Sequence, residues 1–128
     1  MIKKRVFKIK SFTKWMKKCN IHDQDLLAAI IEMDLGLIDA DLGGNVYKKR
    51  IRLPSVGKRS GARMIAATQL MKRWFLIYGF AKNEKSNVSG DELLYLHEVA
   101  KRLLHLSDND IDIAIRSNEM KEVRNDEQ

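Results

Sequence analysis

The 128-residue chain has one cysteine, one proline, three histidines and no long apolar run. Cys19 alone excludes an internal disulfide, and with only His22, His97 and His105 beside it a structural zinc site is short of ligands. No stretch approaches the ~20 apolar residues of a spanning helix. Met1 leads through a basic stretch into Phe12-Thr13-Lys14-Trp15 instead of an apolar signal core. The chain is therefore expected in the cytoplasm, with no membrane contact. Standard catalytic signatures are missing too: there is no phosphate-binding GxxxxGKS or GxxxxGKT, no HExxH, no CxxC and no GxSxG. Metal-assisted and Ser/His/Asp hydrolysis both lack support, and the expectation is of no metal and no cofactor. Asp39 and Asp41, in a Gly-flanked turn, read as a solvated loop. His97 and His105, eight apart on one predicted helix, read as residues at the core edge.

What the sequence does have is blocked charge. The net charge is +7 at a hydrophobic fraction of 45%, enough apolar surface for one domain over residues 1–123, with 124–128 as a disordered tail. From Met1 to Cys19 there are 8 Lys/Arg and no acid, and from Asn20 to Gly44 there are 6 acids and no Lys/Arg. From Asn45 to Lys85 there are 11 Lys/Arg against the single acid Glu84, whereas Ser86 to Gln128 holds 5 basic and 10 acidic residues. A block of one sign favours an anionic partner, and this places the functional suspicion on the middle of the chain.

The pattern predicts an α+β fold in the order β-α-α-β-β-β-α-α, a small antiparallel-rich sheet of about four strands with helices packed on one face. Arg5 to Lys10 alternates as a first strand. Trp15, Met16 and Cys19 suit a short helix, and a second runs from a cap at Asp23 to Gly36. In the strand Asn45 to Leu53, Tyr47, Ile51 and Leu53 share one face while Lys48, Arg50 and Arg52 share the other. A Gly-rich loop from Pro54 to Gly61 leads to a strand over Ala62 to Gln69, and Trp74 to Phe80 makes an apolar central strand. Ser89 with Glu92 is a capping-box pattern for a helix through Leu104. Ser107 to Val123 is expected to form the last helix.

An antiparallel neighbour holding Arg63 sets its guanidinium about 5 Å from the Lys48 and Arg50 face. Like charges this close cost stability unless an anion sits among them, so the face points to nucleic-acid phosphate. Such a face can assist attack of an RNA 2′-hydroxyl on its adjacent phosphate without a metal, because fixed cations stabilise the charge growing on the equatorial oxygens. Crowding by other cations eases loss of a proton, which puts Lys48 and Lys82 forward as general base or acid. The competing reading is a basic face paired with acids of the last helix or of a partner protein.

The loop Asp39-Ala40-Asp41-Leu42-Gly43-Gly44, the strand Val46-Tyr47-Lys48-Lys49-Arg50-Ile51, the stretch Gly57-Lys58-Arg59-Ser60-Gly61-Ala62-Arg63 and the strand Phe75 to Asn83 together resemble the RelE/HigB superfamily of bacterial toxins. The likeness is to the subgroup with a GKxxGxR segment before a YGFxKN strand, and spans roughly Lys3 to Leu106. It implies an mRNA interferase that enters the ribosome, cuts mRNA there without a metal, and is silenced by a cognate antitoxin. It also implies phosphate-contacting and acid-base roles for Lys48 and Arg50, transition-state stabilisation by Arg63, and a basic strand end at Lys82. Arg52, Lys58 and Arg59 are assigned to RNA binding. The chain departs from RelE itself in having no Tyr after Tyr95, which leaves the proton-transfer residues open. Two alternatives share these features: a ParE-like poison of DNA gyrase with the same fold, and a non-catalytic basic RNA-binding module.

Overall fold

A computed structural model describes residues 4–51, 61–70 and 72–124. The elements run β1 (Arg5–Ile9), α1 (Lys10–Lys18), α2 (Asp23–Asp34), β2 (Ala40–Asp41), β3 (Val46–Ile51), β4 (Ala62–Gln69), β5 (Arg73–Ala81), α3 (Gly90–Leu104), α4 (Asp108–Arg116) and β6 (Met120–Val123). They form one mixed sheet in the order β2-β3-β4-β5-β1-β6. Strand β1 is parallel to β5, and the other neighbours are antiparallel.

The α+β class stands, but two details of the expected sheet are corrected. Among the described residues the sheet has six strands where about four were expected, and its helices cover both faces. Val6, Met64, Ala66, Trp74 and Leu76 pack with Phe12 and Met16 of α1 and with Leu26, Ile30 and Met33 of α2. Phe7, Val46, Ile65, Phe75 and Ile77 pack with Leu96 and Ala100 of α3 and Ile111 of α4. Burying a large apolar side chain contributes about 1.5–3 kcal/mol, so a strand apolar on both sides gains only if both sides are covered. The run Trp74 to Ile77 is buried throughout.

The last helix is corrected as well. It stops at Arg116, Asn118 takes a left-handed conformation at φ 65, and Met120–Val123 pairs antiparallel with β1 as an edge strand. Pairing answers the backbone of β1 on its outer side, which a continued helix would leave unsatisfied.

Helix ends follow the sequence closely. In α2 the Asp25 carboxylate accepts from the His22 backbone N–H at 2.9 Å, so the cap is one residue earlier than Asp23. Gly36 follows the helix at φ 94, where a side chain would be strained. At α3 the Ser89 hydroxyl accepts from the Glu92 N–H at 3.1 Å and Glu92 accepts from the Ser89 N–H at 2.8 Å. Gly79 has a packing role: a Cβ there would lie 2.3 Å from the Trp15 ring, so only glycine lets α1 rest on β5.

Candidate functional site

Strand β3 sorts its cations by parity. Tyr47, Lys49 and Ile51 face α2, where Lys49 pairs with Glu32 at 2.8 Å and donates to the Leu37 carbonyl at 2.8 Å. Val46, Lys48 and Arg50 face the α3 side. There Arg50 sits directly opposite Arg63 of β4, and Lys48 sits opposite Ile65. The buried Gly61 lies between the two arginines: a Cβ on it would be 3.8 Å from both the Arg50 Cγ and an Arg63 Nη. The Lys82 backbone N–H donates to the Gly61 carbonyl at 3.1 Å, which brings the residue after β5 to the same corner. The structure thus brings together Lys48, Arg50 and Arg63 on one sheet face, with the Lys82 backbone beside them. Arg52, Lys58 and Arg59 lie outside the described residues.

These four cations make no ion pair among the described residues, although Lys48 is 3.4 Å from the Asn87 Oδ1. By contrast Lys8 pairs with Asp23, Arg5 with Glu122 and Arg73 with Asp108. The acidic loop does backbone work: Asp39 accepts from the Arg50 N–H at 2.5 Å and Asp41 from the Gly43 N–H at 3.0 Å. Asp39 thereby fixes the backbone from which Arg50 projects.

Sequence reasoning missed the group that borders the cations. Lys85 lies 5.2 Å over the Tyr78 ring and 5.8 Å over the Phe80 ring, and it pairs with Glu92. The Tyr78 hydroxyl donates to the same Glu92 oxygen at 2.8 Å. The Lys85 ammonium, the Ser89 N–H and the Tyr78 hydroxyl hold the Glu92 carboxyl at about 2, well below the usual 4.5. The hydrogen bonds to Glu92 and Tyr78 push Lys85 above its ordinary value. Glu92 was visible in the sequence only as a cap. Its second oxygen was free to orient Lys85 because Tyr78 of β5 and Lys85 of the turn after it reach the start of α3, a tertiary relation that spacing does not reveal.

The histidines hold backbone. The His97 Nε2 lies 3.0 Å from the Leu42 carbonyl and its ring packs under Gly44, and the His105 Nδ1 lies 2.7 Å from the Lys101 carbonyl. Cys19 is half-buried at the end of α1, and burial raises its thiol above the ordinary range. No helix among the described residues is long and apolar enough to cross a membrane.

A family model described as the RelE toxin of the RelE / RelB toxin-antitoxin system matches residues 4–123. The chain belongs to the RelE toxin family. No curated protein matches it. As the toxin of a toxin-antitoxin system, this RelE-family protein has an antitoxin for a partner. The matched span takes in every strand of the sheet and the whole cationic corner.

Proposed function

We propose that this RelE-family toxin is a metal-independent endoribonuclease, an mRNA interferase of the HigB-like kind that cuts mRNA on the ribosome and so inhibits translation. The observation that carries the reading is the facing pair Arg50 and Arg63 with Lys48 beside them, cations without an ion pair among the described residues. An anion with several oxygens, such as a phosphodiester, fits three converging donors, and arginine forks match it best.

The reaction needs few parts. The RNA 2′-oxygen attacks the adjacent phosphorus, the bond from phosphorus to the 5′-oxygen breaks, and a 2′,3′-cyclic phosphate and a 5′-hydroxyl result. The 2′-hydroxyl gives up a proton to a base and the leaving 5′-oxygen takes one from an acid. Lys48 and Lys82 are the candidates for these transfers. Arg63 and Arg50 stabilise the charge that grows on the non-bridging oxygens, where each fixed donor contributes most at the transition state. Arg52, Lys58 and Arg59 are assigned to holding the RNA strand.

The test is inducible expression in a bacterium, with growth and transcript 5′ ends followed after induction. Growth arrest with new 5′ ends inside translated reading frames is expected, and Lys48→Ala should remove both while the variant stays folded. Arrest without new ends sinks the ribonuclease reading, and gyrase inhibition in the same cells selects the ParE-like alternative. Cleavage of purified mRNA with ribosomes but not without them is the expected sign of ribosome dependence.

A further inference from the structure

The segment between β5 and α3 runs back to the sheet face that carries the cationic corner. Among the described residues, one side-chain hydrogen bond is made by a cation of that corner: the Lys48 Nζ donates to the Asn87 Oδ1 at 3.4 Å. The same oxygen accepts from the Val88 N–H at 2.9 Å. Val88 in turn packs on the apolar cluster that holds Val46 and Ile65. Those two residues frame Lys48, since Val46 precedes it on the same strand face and Ile65 sits opposite it on β4. Ser89 follows, fixed as the cap of α3 by its reciprocal bonds with Glu92. Asn87 is exposed, yet its oxygen is held by its own backbone neighbours and not by Lys48.

We propose that Asn87 is a positioning residue for Lys48, a role that rests on the ribonuclease reading of the corner. Lysine is a point charge on a flexible stem, so a Lys48 without a fixed acceptor sweeps many rotamers. A held oxygen narrows that sweep before RNA arrives, and orientation set ahead of the reaction is what proximity contributes to its rate. An ammonium has only donors, so the oxygen of the amide, not its nitrogen, faces Lys48. The acceptor is also uncharged, and it orients the cation without cancelling charge that a phosphate would meet. Lys85 is the contrast, because its acceptor is the Glu92 carboxylate, which pairs with it. When Lys48 acts as the base, its neutral amine still donates one N–H to Asn87, and the nitrogen lone pair is left for the 2′-hydroxyl proton.

Purified toxin, mRNA and ribosomes give the test, with urea denaturation to follow the folding of each variant. Asn87→Ala should lower kcat by about tenfold, part of the ~10²–10⁴ that a positioned acid or base contributes, while KM stays within about twofold. In the Lys48→Ala background the same change should remove nothing further, because the side chain it positions is gone. Equal losses in both backgrounds would make Asn87 a turn residue and overturn the role. Asn87→Asp has the shape of the parent and carries the test should the alanine variant unfold. It keeps the acceptor and adds a charge beside Lys48, so kcat should recover at higher pH as the pH–rate profile moves upward, whichever proton transfer Lys48 performs. A profile that stays with the parent's overturns the role as well. A parent that cuts no RNA on ribosomes overturns the ribonuclease reading and this role with it, whereas a parent matched in rate by Asn87→Ala overturns this role alone.

Discussion

The two faces of the sheet treat lysine differently. On the α1/α2 face Lys8 and Lys49 are buried at 8% and 6% exposure, and each meets an acid of α2, Asp23 at 2.7 Å and Glu32 at 2.8 Å. On the α3 face Lys48, Arg50 and Arg63 stand together with no acid paired among the described residues. Lys48 and Lys49 are neighbours in sequence, yet one is structural by its contacts and the other is not. A count of charges treats them alike. The difference singles out Lys48, Arg50 and Arg63 as the cations proposed to meet an anion, because an unanswered like-charge cluster is a stability cost that a bound anion offsets.

The largest expected effect is on the unanswered face. Arg63→Ala and Lys48→Ala should each lower the rate of RNA cleavage by about 10²–10³, with stability within about 0.5 kcal/mol of the parent. Cleavage of labelled mRNA on ribosomes, beside urea denaturation of each variant, checks both halves. Comparable loss of activity in a Lys49 variant would erase the distinction between the faces. Affinity for RNA should also lose about one unit of salt slope with Arg63→Ala, as expected of one phosphate contact removed.

The answered face should show the opposite pattern. Lys49→Met removes the donor to the Leu37 carbonyl and one partner of Glu32. A loss of about 1–3 kcal/mol in stability is expected, held down because the Glu32 side chain is half exposed and can be hydrated. Activity per folded molecule should not change. Lys48→Met, one residue away, takes a charge out of the unanswered cluster and should leave the denaturation midpoint unchanged or slightly raised, so the pair of variants measures the two faces on a single strand.

Much of this was legible beforehand, for local reasons. Strand alternation placed Lys48 and Arg50 together, and hairpin geometry put Arg63 opposite them, because a period of two and antiparallel pairing leave little freedom. Capping residues marked α3, and Gly36 marked the end of α2. The second helical layer was not read, although the unbroken apolar run from Trp74 to Phe80 signalled a strand covered on both faces. Strand β6 was missed because Ile111, Ala114, Ile115 and Met120 keep helical spacing across a chain that reverses at Asn118. The glycine of the YGF segment looked like part of a motif, whereas its place is set by the Trp15 ring against it. Lys85 was counted but not placed, since its partners Tyr78 and Glu92 meet it only through the fold.

Lys85 is the intermediate case, a cation bordering the unanswered corner that does have an acid, and its partner gives the smallest and finest test. The Glu92 carboxyl is held at about 2 against the usual 4.5. A depressed carboxyl contributes stability that is present above 4.5 and is lost as the pH falls toward 2. Glu92→Gln keeps the shape but never ionises, so the variant should melt lower than the parent at neutral pH. Its melting temperature should then fall less steeply between pH 4.5 and 2, and the two curves should converge at the acid end. The effect is small because the pair is near water, which screens it. Parallel melting curves across that range would mean that Glu92 serves only as a cap of α3. Loss of the carboxylate also releases Lys85, and if pairing is what separates the structural cations from the others, RNA affinity of Glu92→Gln should rise while its salt slope steepens by about one phosphate contact.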